Sequence, residues 1–93
     1  MYEIIYKKKF KRAFKKCSKS GHFKHEEFRK ILEFLVAGNK LPAYYFDHAL
    51  TGNLSGQREC HIAGDMLLIY EIDHGNKTVT LATIGNHAQL FGS

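Results

Sequence analysis

The sequence predicts an α+β domain, with a helical hairpin packed on a small, mainly antiparallel four-stranded sheet in the order β-α-α-β-β-β. Three observations predict it. Apolar residues recur at helical spacing through two segments of the first half. Three runs of strand-type residues, separated by turn sequences, fill most of the second half. The join between the halves carries Gly52, Asn53, Ser55 and Gly56 and has no sustained period. At 93 residues the chain is one domain, spanning residues 1–93, with one modest core.

Residues 2–6 include Tyr2, Ile4, Ile5 and Tyr6 and read as a short strand. From Lys7 the period changes. Phe10, Phe14 and Cys17 fall at i, i+4 and i+7 with Ala13 beside them, so a cationic amphipathic helix runs to about Ser20, where Gly21 breaks it. A second helix covers residues 23–37. Phe28, Ile31, Leu32, Leu35 and Val36 form its buried face, and Glu26, Glu27, Arg29, Lys30 and Glu33 face outward. Gly38 and Asn39 end it, and Pro42 forbids its continuation. Residues 39–56 read as a loop. Strands follow at 57–63, 66–72 and 77–84, joined by the turns Ala63-Gly64-Asp65 and Asp73-His74-Gly75-Asn76. Residues 66–70 are apolar on both faces, as a central strand requires. Residues 86–93 are too short a segment to assign.

Composition narrows the function classes. An apolar fraction of 44% with 25% charged residues is that of an ordinary globule, which argues against disorder. No apolar run approaches the roughly 18–20 residues of a membrane span. The N-terminus turns basic only after its apolar residues, the reverse of a secretory signal. Cys17 and Cys60 lie far apart without metal-type spacing, which suits two reduced thiols in the cytoplasm and leaves a disulfide between them as the other option. Charge is uneven. Residues 1–40 carry twelve Lys/Arg against four acids, a net +8, whereas residues 41–93 are net −3. Residues 7–19 contain no acid at all. Unbalanced like charge destabilises a compact chain by self-repulsion, so this helix reads as a surface for a polyanion or an acidic partner rather than a merely solvated face.

Six histidines need sorting. His22 and His25 stand at i, i+3 without a Cys pair or an acidic third ligand, so no metal site is expected there. His74 lies in a turn and reads as exposed. His48, His61 and His87 lie in the loop, on a strand and just after the last strand, where rigid sheets tend to carry functional groups. Imidazole both takes and gives protons near neutral pH. RNA cleavage needs both acts, removal of the 2′-hydroxyl proton and protonation of the departing 5′-oxygen. A Cys60–His61 hydrolase is the competing arrangement. Strand alternation puts those two side chains on opposite faces, which makes that pair geometrically poor. The chain has no phosphate-binding P-loop and no dinucleotide fingerprint.

Three stretches carry a family resemblance: Asp47-His48-x-Leu50-x-Gly52; Gly56-x-Arg58-x-x-His61-Ile62-x-x-Asp65-x-x-Leu68-Ile69-Tyr70; and Gly85-x-His87-Ala88-x-Leu90-Phe91-Gly92. With Leu41-Pro42 and the element order, they make the chain similar to the YafQ-type toxins of the RelE/ParE superfamily over nearly its whole length. The resemblance implies a RelE-like fold and a cytoplasmic endoribonuclease that cuts translated mRNA on the ribosome. It also implies a cognate antitoxin, which the +8 half expects to be acidic where the two meet. The functional set it implies is His48, His61, Asp65, His87 and Phe91. His48 or Asp65 would act as base with His61 as partner, His87 as acid, and Phe91 would stack on or orient a base. Lys8, Lys11, Lys15 and Lys16 would contact ribosomal RNA. Neither cofactor nor metal is expected, and no membrane partner. Two positions depart from the pattern. Thr83 stands where the family tends to place an arginine, and Met66 where an aromatic often follows the aspartate. A guanidinium suits the charge that gathers on phosphoryl oxygens, so Arg58 or a lysine of the first helix would have to substitute. The alternative is a non-catalytic toxin or regulator of the same fold, acting through protein or nucleic-acid binding.

Overall fold

The computed structural model describes residues 1–92 and joins five strands into one sheet. The elements are β1 (Glu3–Tyr6), α1 (Lys8–Cys17), α2 (His25–Val36), β2 (His48–Ala49), β3 (Arg58–Ala63), β4 (Met66–Asp73), β5 (Thr78–Gly85) and α3 (His87–Phe91), with 3₁₀ turns at Ala43–Tyr45 and Gly52–Leu54. The sheet order is β1-β5-β4-β3-β2. β1 runs parallel to β5 and the remaining pairs are antiparallel.

The α+β class, the two long helices and the four expected strands are present, and the structure adds two elements. β2 pairs His48 with Glu59 and Ala49 with Arg58 inside what reads as loop. Two residues are too few to display a period, so the edge strand exists only through its partner. The tail folds as α3 because Asn86 and Gln89 form a capping box: the Asn86 side chain accepts from the Gln89 amide at 2.8 Å, and the Gln89 side chain accepts from the Asn86 amide at 2.8 Å. Gly85 permits this, since a Cβ there would lie 2.8 Å from Gln89 Oε1. Two boundaries also move. α1 ends at Cys17 rather than Ser20, and Phe23 precedes α2 as a buried anchor instead of opening it.

α1 has no side-chain cap and no acid in its first turn. Lys8 and Lys9 there oppose the helix dipole, while Lys15 and Lys16 complement it at the other end. Packing therefore holds the helix. Phe10 stacks on Phe14 and Phe28, and Phe14 meets Phe23 and Phe28 with ring centroids 5.1–5.5 Å apart. Beneath these rings lie Ile31, Leu35, Cys60, Leu68, Tyr70, Val79 and Leu81. β4 is central and Leu67, Leu68, Ile69 and Tyr70 are all buried, as a strand covered on both sides demands.

Candidate active site

Strand register sorts the polar residues of the sheet onto two faces. Arg58, Cys60, Leu68, Tyr70 and Leu81 share the face that carries the main core. His48, Glu59, His61, Leu67, Ile69 and Thr83 share the other. His87 and Phe91 reach that second face from α3, and Asp65 reaches it from the turn between β3 and β4. The histidine rings form a connected row: His61 and His87 have centroids 6.4 Å apart, and His87 and Phe91 5.7 Å.

The structure adds a residue that sequence reasoning missed. Glu59 is only 4% exposed, and its Oε1 lies 3.4 Å from His48 Nε2 and 3.7 Å from His61 Nε2. One buried carboxylate thus serves two imidazoles. A signal was present, because Glu59 stands two residues before His61 and period-two alternation puts both on one face. The alternation that separates Cys60 from His61 also joins His61 to Glu59. His48 Nδ1 donates to the Phe46 carbonyl at 2.8 Å, since a carbonyl can only accept. That leaves Nε2 as the atom turned toward Glu59.

Asp65 and His87 form the second pair, with Oδ1 3.0 Å from Nδ1. The hydrogen bond from His87 holds the Asp65 carboxyl below the usual aspartate range, so it stays ionised and accepts the Nδ1 proton. His87 Nε2 is then the free position, half-exposed and available to a substrate oxygen. Cys60 is excluded as a nucleophile. It faces the core, and burial pushes its thiol far above the ordinary cysteine range.

The remaining expected residues separate. Arg58 is turned to the opposite face. Its Nη2 lies 2.9 Å from Asp47 Oδ2, its Nε lies 3.3 Å from both Asp47 oxygens, and Tyr70 donates to the same carboxylate. Arg58 is therefore committed to a structural ion pair, away from the histidine row. On α1, Lys16 lines an open groove of about 720 Å³ together with Lys9, Arg12, Ile69, Thr83 and Gln89. Lys8, Lys11 and Lys15 do not line it. Helical geometry puts those three on the other flank of α1, so the cations that accompany Lys16 in the groove are Lys9 and Arg12 of the helix and Lys7 just before it, which sequence reasoning also missed. His22, His25 and His74 lie outside the cluster, with His74 Nδ1 2.7 Å from the Tyr2 hydroxyl. Among the described residues, no three His, Cys, Asp or Glu side chains converge as metal ligands, and no helix is long and apolar enough to cross a membrane.

Residues 2–92 match the family described as bacterial toxin of type II toxin-antitoxin system, YafQ. The mRNA interferase toxin YafQ of Escherichia coli K12 is 35% identical over 83 residues, covering 85% of this chain and 88% of the relative. The E. coli DinJ–YafQ complex contains a chain that superposes with a TM-score of 0.86 at 30% identity, covering 99% of this chain and all of that one. A metal-bound toxin from Helicobacter pylori gives 0.88 at 36% identity over 98% of this chain and all of that one.

Proposed function

This chain belongs to the YafQ family of type II toxins, and from that premise we propose that it is an endoribonuclease that cuts mRNA by metal-independent transesterification. The observation that carries the proposal is the placing of two neighbouring imidazoles, their rings 6.4 Å apart, each beside a carboxylate: His87 hydrogen-bonded to Asp65, and His61 3.7 Å from Glu59, which it shares with His48. His61, expected from the resemblance as the partner of a His48 or Asp65 base, itself takes the proton of the 2′-hydroxyl here, because Asp65 is engaged by His87 and the His61 ring is the one beside His87. Glu59, held in low dielectric, stabilises the imidazolium that results, as a buried carboxylate does in a serine-protease triad. The 2′-oxygen attacks phosphorus and the bond to the 5′-oxygen breaks. His87 gives its Nε2 proton to that oxygen, while Asp65 fixes its tautomer through Nδ1. His48 is the second ring on Glu59 and stands ready to share the charge. Phe91 orients a base beside His87.

Charge on the non-bridging oxygens needs a cation where Thr83 replaces the family's arginine. Lys9, Arg12 and Lys16 line the same groove as Thr83, so α1 supplies it from across the cavity. The same cationic helix would lie against ribosomal RNA. A cognate antitoxin with an acidic segment would cover α1 and deny access to the histidine row, associating more slowly as salt rises. A purified translation reaction tests the enzymatic reading. Wild type should cleave the translated mRNA. His87→Ala should fall by about 10²–10⁴-fold with its fold intact, and His22→Ala should not. Equal cleavage by His87→Ala and wild type would return the chain to the non-catalytic alternative.

A further inference from the structure

The histidine row does not end at His61. Phe46 lies beyond it, its ring centroid 5.4 Å from that of His61 in edge-to-face contact, so Phe46, His61, His87 and Phe91 follow one another along the surface. Phe46 is 65% exposed, more than Phe91 at 41%. Its backbone is left-handed, with φ of 51°, a conformation a bulky residue rarely adopts. The chain thus holds an apolar ring in solvent through a strained backbone at the edge of the catalytic cluster. Beside it opens a cavity of about 550 Å³ whose lining includes Lys24, Glu27, Tyr44, Phe46, His61 and Gly64. That space has room for a nucleobase between the Tyr44 and Phe46 rings, with the Lys24 and Glu27 charges at its lining.

We propose that Phe46 is a base-stacking residue for the nucleotide on the 5′ side of the cut, the counterpart of Phe91 on the 3′ side. The assignment of sides rests on the ribonuclease reading above. The upstream nucleotide carries the 2′-hydroxyl that His61 deprotonates, so its base falls toward Phe46. The downstream nucleotide carries the oxygen that His87 protonates, so its base falls toward Phe91. Stacking tolerates every base but rewards purines by area, so this ring sets a preference at the upstream position rather than a strict code. An acidic or apolar protein partner is the competing use of an exposed ring, and the experiment separates the two.

The experiment is a cycle between protein and substrate. Single-turnover cleavage is measured on ribosomes programmed with mRNA, intact or abasic at the nucleotide 5′ of the cut. Phe46→Ala should raise the enzyme concentration for half-maximal rate on intact mRNA by about 5- to 150-fold. It should have little effect on abasic mRNA, because the interaction is already gone. Phe46→Trp should restore the wild-type value and Phe46→Leu should not, since bulk without a flat ring does not stack. The natural chain contains no tryptophan, so the fluorescence of the Phe46→Trp variant comes from that single indole, and its quenching on binding reports the stack directly. An equal loss on intact and abasic mRNA would mean that Phe46 acts by packing its ring against His61 rather than by stacking on a base, and would overturn the proposal. No loss on either substrate would overturn it in favour of a protein-contact role. Absence of cleavage by wild type would overturn the ribonuclease reading, and this one with it.

Discussion

β3 presents one polar cluster to each face of the sheet, and the two are built differently. On the core side, Arg58 meets both oxygens of Asp47 through Nε and Nη2 and Tyr70 donates to the same carboxylate, so the two charges are matched. On the other side, Glu59 is more deeply buried yet has only two imidazoles at 3.4 and 3.7 Å, beyond a good hydrogen bond in one case and at its limit in the other. Neither ring carries a fixed charge. A closed network holds a strand in place. An open one, with a buried carboxylate between two imidazoles, is the cluster to which we assign the proposed acid–base work. Adjacent residues of one strand thus face two differently built clusters, one closed around Arg58 and Asp47 and one open around Glu59.

Two substitutions sharpen that contrast. Glu59→Gln removes the anion but keeps the shape, so cleavage should fall by about 10- to 100-fold, the range seen when the partner that orients an imidazole is lost. Thermal stability should change little, because the amide keeps the shape of a side chain whose imidazole partners lie at 3.4 and 3.7 Å. A large drop in melting temperature with normal cleavage would make Glu59 structural and dissolve the comparison. Asp47→Ala should do the reverse. It strands Arg58 and the Tyr70 hydroxyl, which should cost about 1–3 kcal/mol of stability and lower the melting temperature by several degrees per kcal/mol. The effect on cleavage below that temperature should be smaller than that of Glu59→Gln. Calorimetry and a cleavage assay on both variants read stability and chemistry together.

How much of this is legible in the sequence depends on the length of the signal. α1, α2 and the three long strands announce themselves by period, and the doubly apolar β4 by its lack of one. β2 is two residues and α3 five, so each exists through contacts rather than propensity: His48 with Glu59 across the sheet, Asn86 with Gln89 across a cap. The candidate site follows the same rule. A family resemblance points to His48, His61, Asp65, His87 and Phe91, and the structure brings His61, His87 and Phe91 into one row with Asp65 on His87 and His48 on Glu59. Their catalytic roles remain the proposal. Glu59 is hidden because a Glu in an amphipathic strand is ordinarily on the solvent side. Arg58 misleads for the same reason in mirror image: an isolated arginine near His61 suggests a phosphate ligand until register turns it toward Asp47. The lysines cannot be sorted by type alone. Only the fold separates the flank of α1 that carries Lys9, Arg12 and Lys16 from the flank that carries Lys8, Lys11 and Lys15.

In the proposed mechanism His61 takes the 2′-hydroxyl proton and His87 gives a separate proton to the departing 5′-oxygen. The chemistry of the cut ends tests it most directly. RNA cleaved by wild type in EDTA should carry a 2′,3′-cyclic phosphate on the upstream fragment and a 5′-hydroxyl on the downstream one, and a single 2′-deoxy substitution at the cut should abolish cleavage there. A 3′-hydroxyl with a 5′-phosphate, or cutting that proceeds through the 2′-deoxy position, would contradict it.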